Sequence, residues 1–179
     1  MCIRDRYYRA ELWQNLQHLV YSLLNNYHFN YVGIYSRYGV NGVSIIPIVF
    51  AERRFSPNDY TGIPENLMQY GFSLVANESI VAMAFNNGTG YFTGDIRKVV
   101  EKIVDPIYAR NYQKAANVNG YLAYPLKNGN TSIGVLVVAT SEPGLTEQQF
   151  FDIEQYADAA TWLIYQSADM LMHPEKFTN

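Results

Sequence analysis

The side chains of this sequence that could act on a small molecule are phenols, one carboxylate and one guanidinium. Tyr91 and Tyr121 stand in apolar, β-rich stretches, where a phenol offers a flat apolar wall with a polar tip. Asp95 falls between a strand-like run and a helical one. It is placed either to accept hydrogen bonds from the first amides of that helix or to face a ligand. Arg110, Asn111 and Tyr112 follow one another on a helix whose start is set by Asp105-Pro106. A guanidinium beside an amide and a phenol can hold a carboxylate or phosphate through charge-assisted bonds, the plainer alternative being an exposed helix face. We expect Tyr91, Asp95, Arg110, Asn111, Tyr112 and Tyr121 to be the ligand-binding set.

Catalytic machinery is not visible. His18, His28 and His173 lie far apart, with no cysteine or acidic spacing of a metal site or triad, and Ser132 and Ser141 lack the glycine pattern of a nucleophile elbow. No catalytic residue, no metal and no cofactor is therefore expected. Arg53-Arg54 reads as a solvated pair at a strand end.

These groups need elements to position them, and composition bounds what those can be. The chain has 179 residues, net charge −3, 49% hydrophobic and 16% charged residues, which suits one domain with a well-filled core and excludes disorder. Tyrosine is the outlier at 16 copies. The slightly acidic balance gives no field to hold nucleic acid or an anionic membrane surface. One cysteine, Cys2, cannot form an internal disulfide, and no apolar run approaches the roughly 18 residues of a membrane span or resembles a secretory leader. The expected location is the cytoplasm. Met1-Cys2-Ile3-Arg4-Asp5-Arg6 resembles the translated end of a transposase adapter used in sequencing libraries. We therefore expect residues 1–6 to be foreign, residues 7–168 to form the domain and residues 169–179 to be a tail.

Leu12, Leu16, Leu19, Val20, Leu23 and Leu24 recur at helical spacing within Tyr8–Tyr27. Residues 31–37 and 43–50 read as a hairpin around Gly39-Val40-Asn41-Gly42. Residues 51–77 read as a long irregular connection with one helical turn near residues 65–70. Asn77 or Ser79 can cap a short helix over Ile80–Asn86 that stops at Asn87-Gly88, and a strand follows over 90–93. Helical patterning past Asp95 is interrupted at Asp105-Pro106, an N-cap acceptor with a first-turn proline. Residues 121–126 and 133–140 form a second hairpin. Its latter strand is apolar on both faces and hence central, and Pro125 is placed at an edge or bulge. Thr146-Glu147-Gln148-Gln149 has capping-box spacing ahead of a helical stripe to about Ser167.

Three segments resemble the small-molecule-sensing GAF domains. These are Ile80–Ile96 (IVAMAFNNGTGYFTGDI), Tyr121–Leu136 (YLAYPLKNGNTSIGVL) and Leu145–Ile153 (LTEQQFFDI), and their order extends the resemblance over roughly residues 8–168. The resemblance implies an α+β, profilin-like fold: a six-stranded antiparallel sheet, terminal helices on one face, and a ligand pocket on the other beneath Ile80–Val118. It also implies cysteine for bilin attachment and for the family's methionine-sulfoxide reductases, which Cys2 alone does not supply. No match to the family's cyclic-nucleotide signature is found.

The expected function is that of a non-enzymatic sensory or regulatory domain of a signalling protein, binding an unidentified small molecule and relaying through its terminal helices. The alternatives are a ligand-free dimerisation or interaction module and an enzyme on the same scaffold. A homodimer would use a second apolar stripe, for which Trp13, Leu24, Trp162 and Tyr165 are the candidates.

Overall fold

Alternation along the strands divides the apolar residues into two sets, and the computed structural model, which describes residues 3–38, 43–53, 71–75, 77–100 and 105–172, places each set in its own core. Strand β1 (Tyr31–Tyr38) pairs with β2 (Ser44–Glu52) as the first hairpin, and β5 (Gly120–Asn128) with β6 (Thr131–Thr140) as the second. The turn of the second hairpin carries Gly129 at φ 60°. Strand β3 (Phe72–Ser73) adds to β2, and β4 (Tyr91–Thr93) adds to β5 over Tyr121–Ala123. The result is one antiparallel sheet in the order β3-β2-β1-β6-β5-β4. Central β6 is buried from Gly134 to Thr140, as its two-faced apolarity requires. Pro125 lies past the end of the β4 pairing, where β5 is itself the edge and the missing N–H costs no ladder bond.

Helices α1 (Ile3–Asn26) and α5 (Glu147–Met172) cover one face. They bury Leu16, Val20, Leu23, Ile153, Ala157 and Ala160 on the Val32, Ile34, Leu122, Leu136 and Val138 side of the sheet. The opposite face carries α2 (Ile80–Asn87), α3 (Arg97–Val100) and α4 (Pro106–Ala115) over Tyr31, Tyr35, Tyr121, Ala123, Val137 and Ala139. This is an α+β fold with the terminal helices on one face and α2, α3 and α4 on the other.

The short helices are fixed by their ends. Ser79, rather than Asn77, caps α2. Its hydroxyl accepts from the Ala82 N–H at 3.0 Å, while Gly88 closes the helix in the left-handed region at φ 62°. Asp105 accepts from the N–H groups of Ile107 and Tyr108, with Pro106 in the first turn of α4. Thr146 and Gln149 exchange side-chain to backbone bonds at 2.9 and 3.2 Å, forming the reciprocal box at the head of α5.

Three readings are corrected. Within residues 51–77, Phe72–Ser73 is a strand, too short to leave a periodic signal; the helical turn expected at 65–70 lies outside the described residues. Helix α5 runs beyond Ser167 to Met172. Leu24 is 4% exposed and belongs to the core under α1, so it is not part of an outer stripe. Among the described residues, no helix is long and apolar enough to cross a membrane.

Candidate functional site

On the α2–α4 side the centre of the sheet is built from small side chains, with tyrosines rising around it. Register aligns Tyr31, Ala139, Tyr121 and Thr93 in one row across four strands, and Gly33, Val137, Ala123 and Tyr91 in the next. Gly33 has no side chain, so the Tyr31 ring folds over it and reaches Tyr35, where the two hydroxyls bond at 2.8 Å. Phe50 stacks on Tyr31 and Phe72 tilts against Tyr35. From above, α2 contributes Ala82 and Ala84, and α4 contributes Ala109, Tyr112 and Ala116.

The layer is buried, and its phenols respond to that. Burial pushes the hydroxyls of Tyr31, Tyr35 and Tyr121 well above the ordinary phenol range, and proximity to Tyr112 raises each of them further. Tyr121, 1% exposed, carries a buried hydroxyl with no hydrogen-bond partner among the described residues. Asp95 lies near enough to raise its proton affinity as well.

The six expected ligand-binding residues divide by side. Tyr112 and Tyr121 meet in the buried layer, and Tyr91 sits half-buried at its border, its hydroxyl accepting from Asn87 Nδ2 at 2.8 Å. Asp95 accepts from the Arg97 N–H at 3.0 Å and pairs with the Arg97 guanidinium, whose hydrogen bonds hold its carboxyl below the usual carboxylate range. Arg110 and Asn111 are exposed on the outward side of α4. Consecutive helical residues are about 100° apart, so Arg110, Asn111 and Tyr112 are not brought together on one face.

Sequence reading missed three parts of this arrangement. The Tyr31-Val32-Gly33-Ile34-Tyr35 alternation places two phenols and a glycine on one face, a signal present in the sequence and not used. Gln113 binds α4 to the β4–α3 connection and to the chain entering β5. Its Nε2 donates to the carbonyls of Gly94 (2.7 Å) and Val118 (3.0 Å), and its Oε1 accepts from the Ile96 N–H (3.1 Å). A groove of about 360 Å³ lies beside it, lined by Arg110, Gln113, Lys114, Asn117, Val118 and Asn119.

Among the described residues no group of His, Cys, Asp and Glu could hold a metal ion. His18 is exposed on α1, and His28 follows that helix, with its Nδ1 2.7 Å from Arg53 Nη2. Helix α1 packs on the face of the sheet opposite the phenols.

The class defined by this geometry is an antiparallel sheet with one helical layer on each face, the terminal helices on one and the short helices over the buried tyrosines on the other. No family model matches the sequence, and the search of curated proteins finds no match. Among solved structures, the GAF domain region of a protein from Geobacter sulfurreducens PCA is similar at a TM-score of 0.67 and 15% identity, over 89% of this chain and 97% of that one. The GAF domain of an Acinetobacter phosphoenolpyruvate-protein phosphotransferase is similar at 0.63 and 14%, over 95% and 98%. The type II free methionine-R-sulfoxide reductase of Thermoplasma acidophilum is similar at 0.62 and 10%, over 89% and 96%. The chain has the GAF-domain fold.

Proposed function

We propose that this chain is a non-enzymatic sensory or regulatory domain that takes a small molecule beneath the Ile80–Val118 segment and relays its presence through the terminal helices. The observation that carries this reading is the buried Tyr121 hydroxyl, which lacks a partner among the described residues. Leaving such a group unsatisfied costs about 1–3 kcal/mol, a penalty that a polar atom of a ligand would remove. Tyr112 on α4 and Tyr91 on β4 border the same layer, with Asp95 close by. A ligand seated there favours one arrangement of α4 over another in proportion to its differential affinity. The strands transmit the change, because β5 sends Tyr121 to the ligand side and Leu122 to the helices α1 and α5.

A regulatory role agrees with the Acinetobacter neighbour, a GAF domain of a phosphotransferase. The Thermoplasma neighbour is a reductase. Reductase chemistry in the family resemblance uses thiols, and the one cysteine here is Cys2, in the adapter-like segment. A thermal-shift screen against small metabolites and nucleotides tests the proposal. We expect at least one compound to raise the unfolding temperature of the wild type and to lose that effect in Tyr121→Phe; a screen with no stabilising compound would defeat the reading.

A second reading, a ligand-free dimerisation module, is favoured by one specific observation. Trp13 and Tyr21 on α1, and Phe151, Trp162 and Tyr165 on α5, are exposed large apolar residues on the two terminal helices. Light scattering at two chain masses, returning to one in Trp162→Glu, would support it.

A further inference from the structure

We propose that the groove at the C-terminal end of α4 is a separate binding site for a small dianion, a phosphate monoester or a dicarboxylate. It stands on observations different from those of the phenol layer. Helix α4 buries Ala109, Tyr112 and Ala116 on one side, which leaves Arg110, Gln113, Lys114 and the following Asn117 along the other. Arg110 and Lys114 are one turn apart, with Cβ atoms about 6 Å from each other, a spacing at which two cations can hold the two charges of one compact ligand. Beyond Ala116 the chain turns back at Asn117 with φ 48°, a left-handed conformation that asparagine tolerates, and this brings Val118 and Asn119 to the groove.

Neither Arg110 nor Lys114 has an ion-pair partner in contact with it among the described residues. Asp95 lies near enough to Arg110 for the two charges to attract, but its carboxylate is bonded to Arg97, so the groove keeps a positive excess. Two features that would oppose an anion are also answered. The carbonyls of Tyr112, Gln113 and Lys114, at the negative end of the helix, already accept from the N–H groups of Ala116, Val118 and Asn117. Both N–H groups of Gln113 Nε2 and its Oε1 are bonded to backbone groups, which braces the groove. In a chain of net charge −3, this is a local patch of the opposite sign. Its volume of about 360 Å³ fits a small metabolite and is too small for a folded partner.

The test titrates the whole chain with inorganic phosphate, succinate and acetate at constant ionic strength set by chloride, followed by backbone amide NMR. Saturable shifts should centre on residues 110–119. Both dianions should bind about tenfold or more tightly than acetate, and the tighter of the two identifies the ligand source. Arg110→Gln with Lys114→Gln changes only exposed side chains and should weaken binding about tenfold or more while the rest of the spectrum stays in place. Tyr121→Phe should leave the affinity unchanged, which separates this groove from the inner layer. Absence of saturation above the chloride control, equal affinity for acetate, retention of binding in the double variant, or its loss in Tyr121→Phe would each overturn the proposal.

Discussion

Two side chains on the inner layer make opposite predictions, because one hydroxyl lacks a partner and one glycine lacks room. Replacing Tyr121 by Phe removes a buried, unbonded hydroxyl and keeps the ring. We expect the ligand-free protein to hold its stability or gain up to about 1–3 kcal/mol, read as a higher midpoint in urea unfolding. A loss of that size would instead mean that the hydroxyl is satisfied in the folded chain. Gly33 is the contrary case. A Cβ built there would clash with the Tyr31 hydroxyl oxygen and ring, and that ring is held by Phe50 on its face and by Tyr35 at its tip. Gly33→Ala must displace a fixed side chain, so it should cost about 1–3 kcal/mol in the same unfolding measurement. Tyr31→Phe leaves the ring in place and tests the hydroxyl pair alone.

At the level of elements, the ends of helices were legible in the sequence because capping is local chemistry. Thr146 with Gln149, Asp105 with Pro106, and Asn87-Gly88 each act within four residues, and each takes the geometry that its residue types require. The two hairpins were legible for the same reason: alternation and a turn are short-range signals. Strand β3 was not, since two residues have no period, and neither was the division of the ligand set, since which side of α4 faces the sheet depends on tertiary packing. The Asp95–Arg97 pair was missed although it spans only two residues, because a capping carboxylate says nothing of which cation will approach it. The caps themselves can be tested. Ser79 is fully buried whereas Asp105 is exposed, so Ser79→Ala strands an N–H away from water and Asp105→Ala leaves amides that water can reach. We expect losses of about 1–2 kcal/mol for Ser79→Ala and about 0.5–1 kcal/mol for Asp105→Ala in chemical denaturation.

Across the whole molecule, the sheet separates two cores of different character, and pH should tell them apart. The fully buried residues of the core under α1 and α5 are aliphatic apart from Phe29. Its tyrosines lie at the margins, where Tyr27 donates to Asp152 and Tyr124 donates to Glu154; both phenols are pushed up to about 12, the first mainly by its bond to the carboxylate and the second mainly by burial. The core under α2–α4 contains Tyr31, Tyr35 and Tyr121, which burial keeps neutral far above the ordinary phenol range. A phenol whose proton is held more tightly in the folded chain stabilises the fold fully below its unfolded pKa near 10 and loses that contribution as pH rises, because the unfolded chain ionises first. Several such phenols act together, so the thermal midpoint should fall steeply above about pH 10, and phenolate absorbance of the buried set should appear only with unfolding. On the acid side, Asp95 and Asp152 have carboxyls held low by Arg97 and Tyr27, so their contribution is present above the ordinary carboxylate range and lost as pH falls through the lowered values. Both aspartates are half-buried and keep contact with solvent, which screens their charges, and that decline should be the shallower one. A ligand that bonds the Tyr121 hydroxyl as an acceptor requires the neutral phenol, so its stabilising effect should vanish over the same alkaline range in which the inner core opens. Phenolate absorbance that rose smoothly near pH 10 with the fold intact would show the layer to be open to solvent and would remove the basis for the proposed inner site.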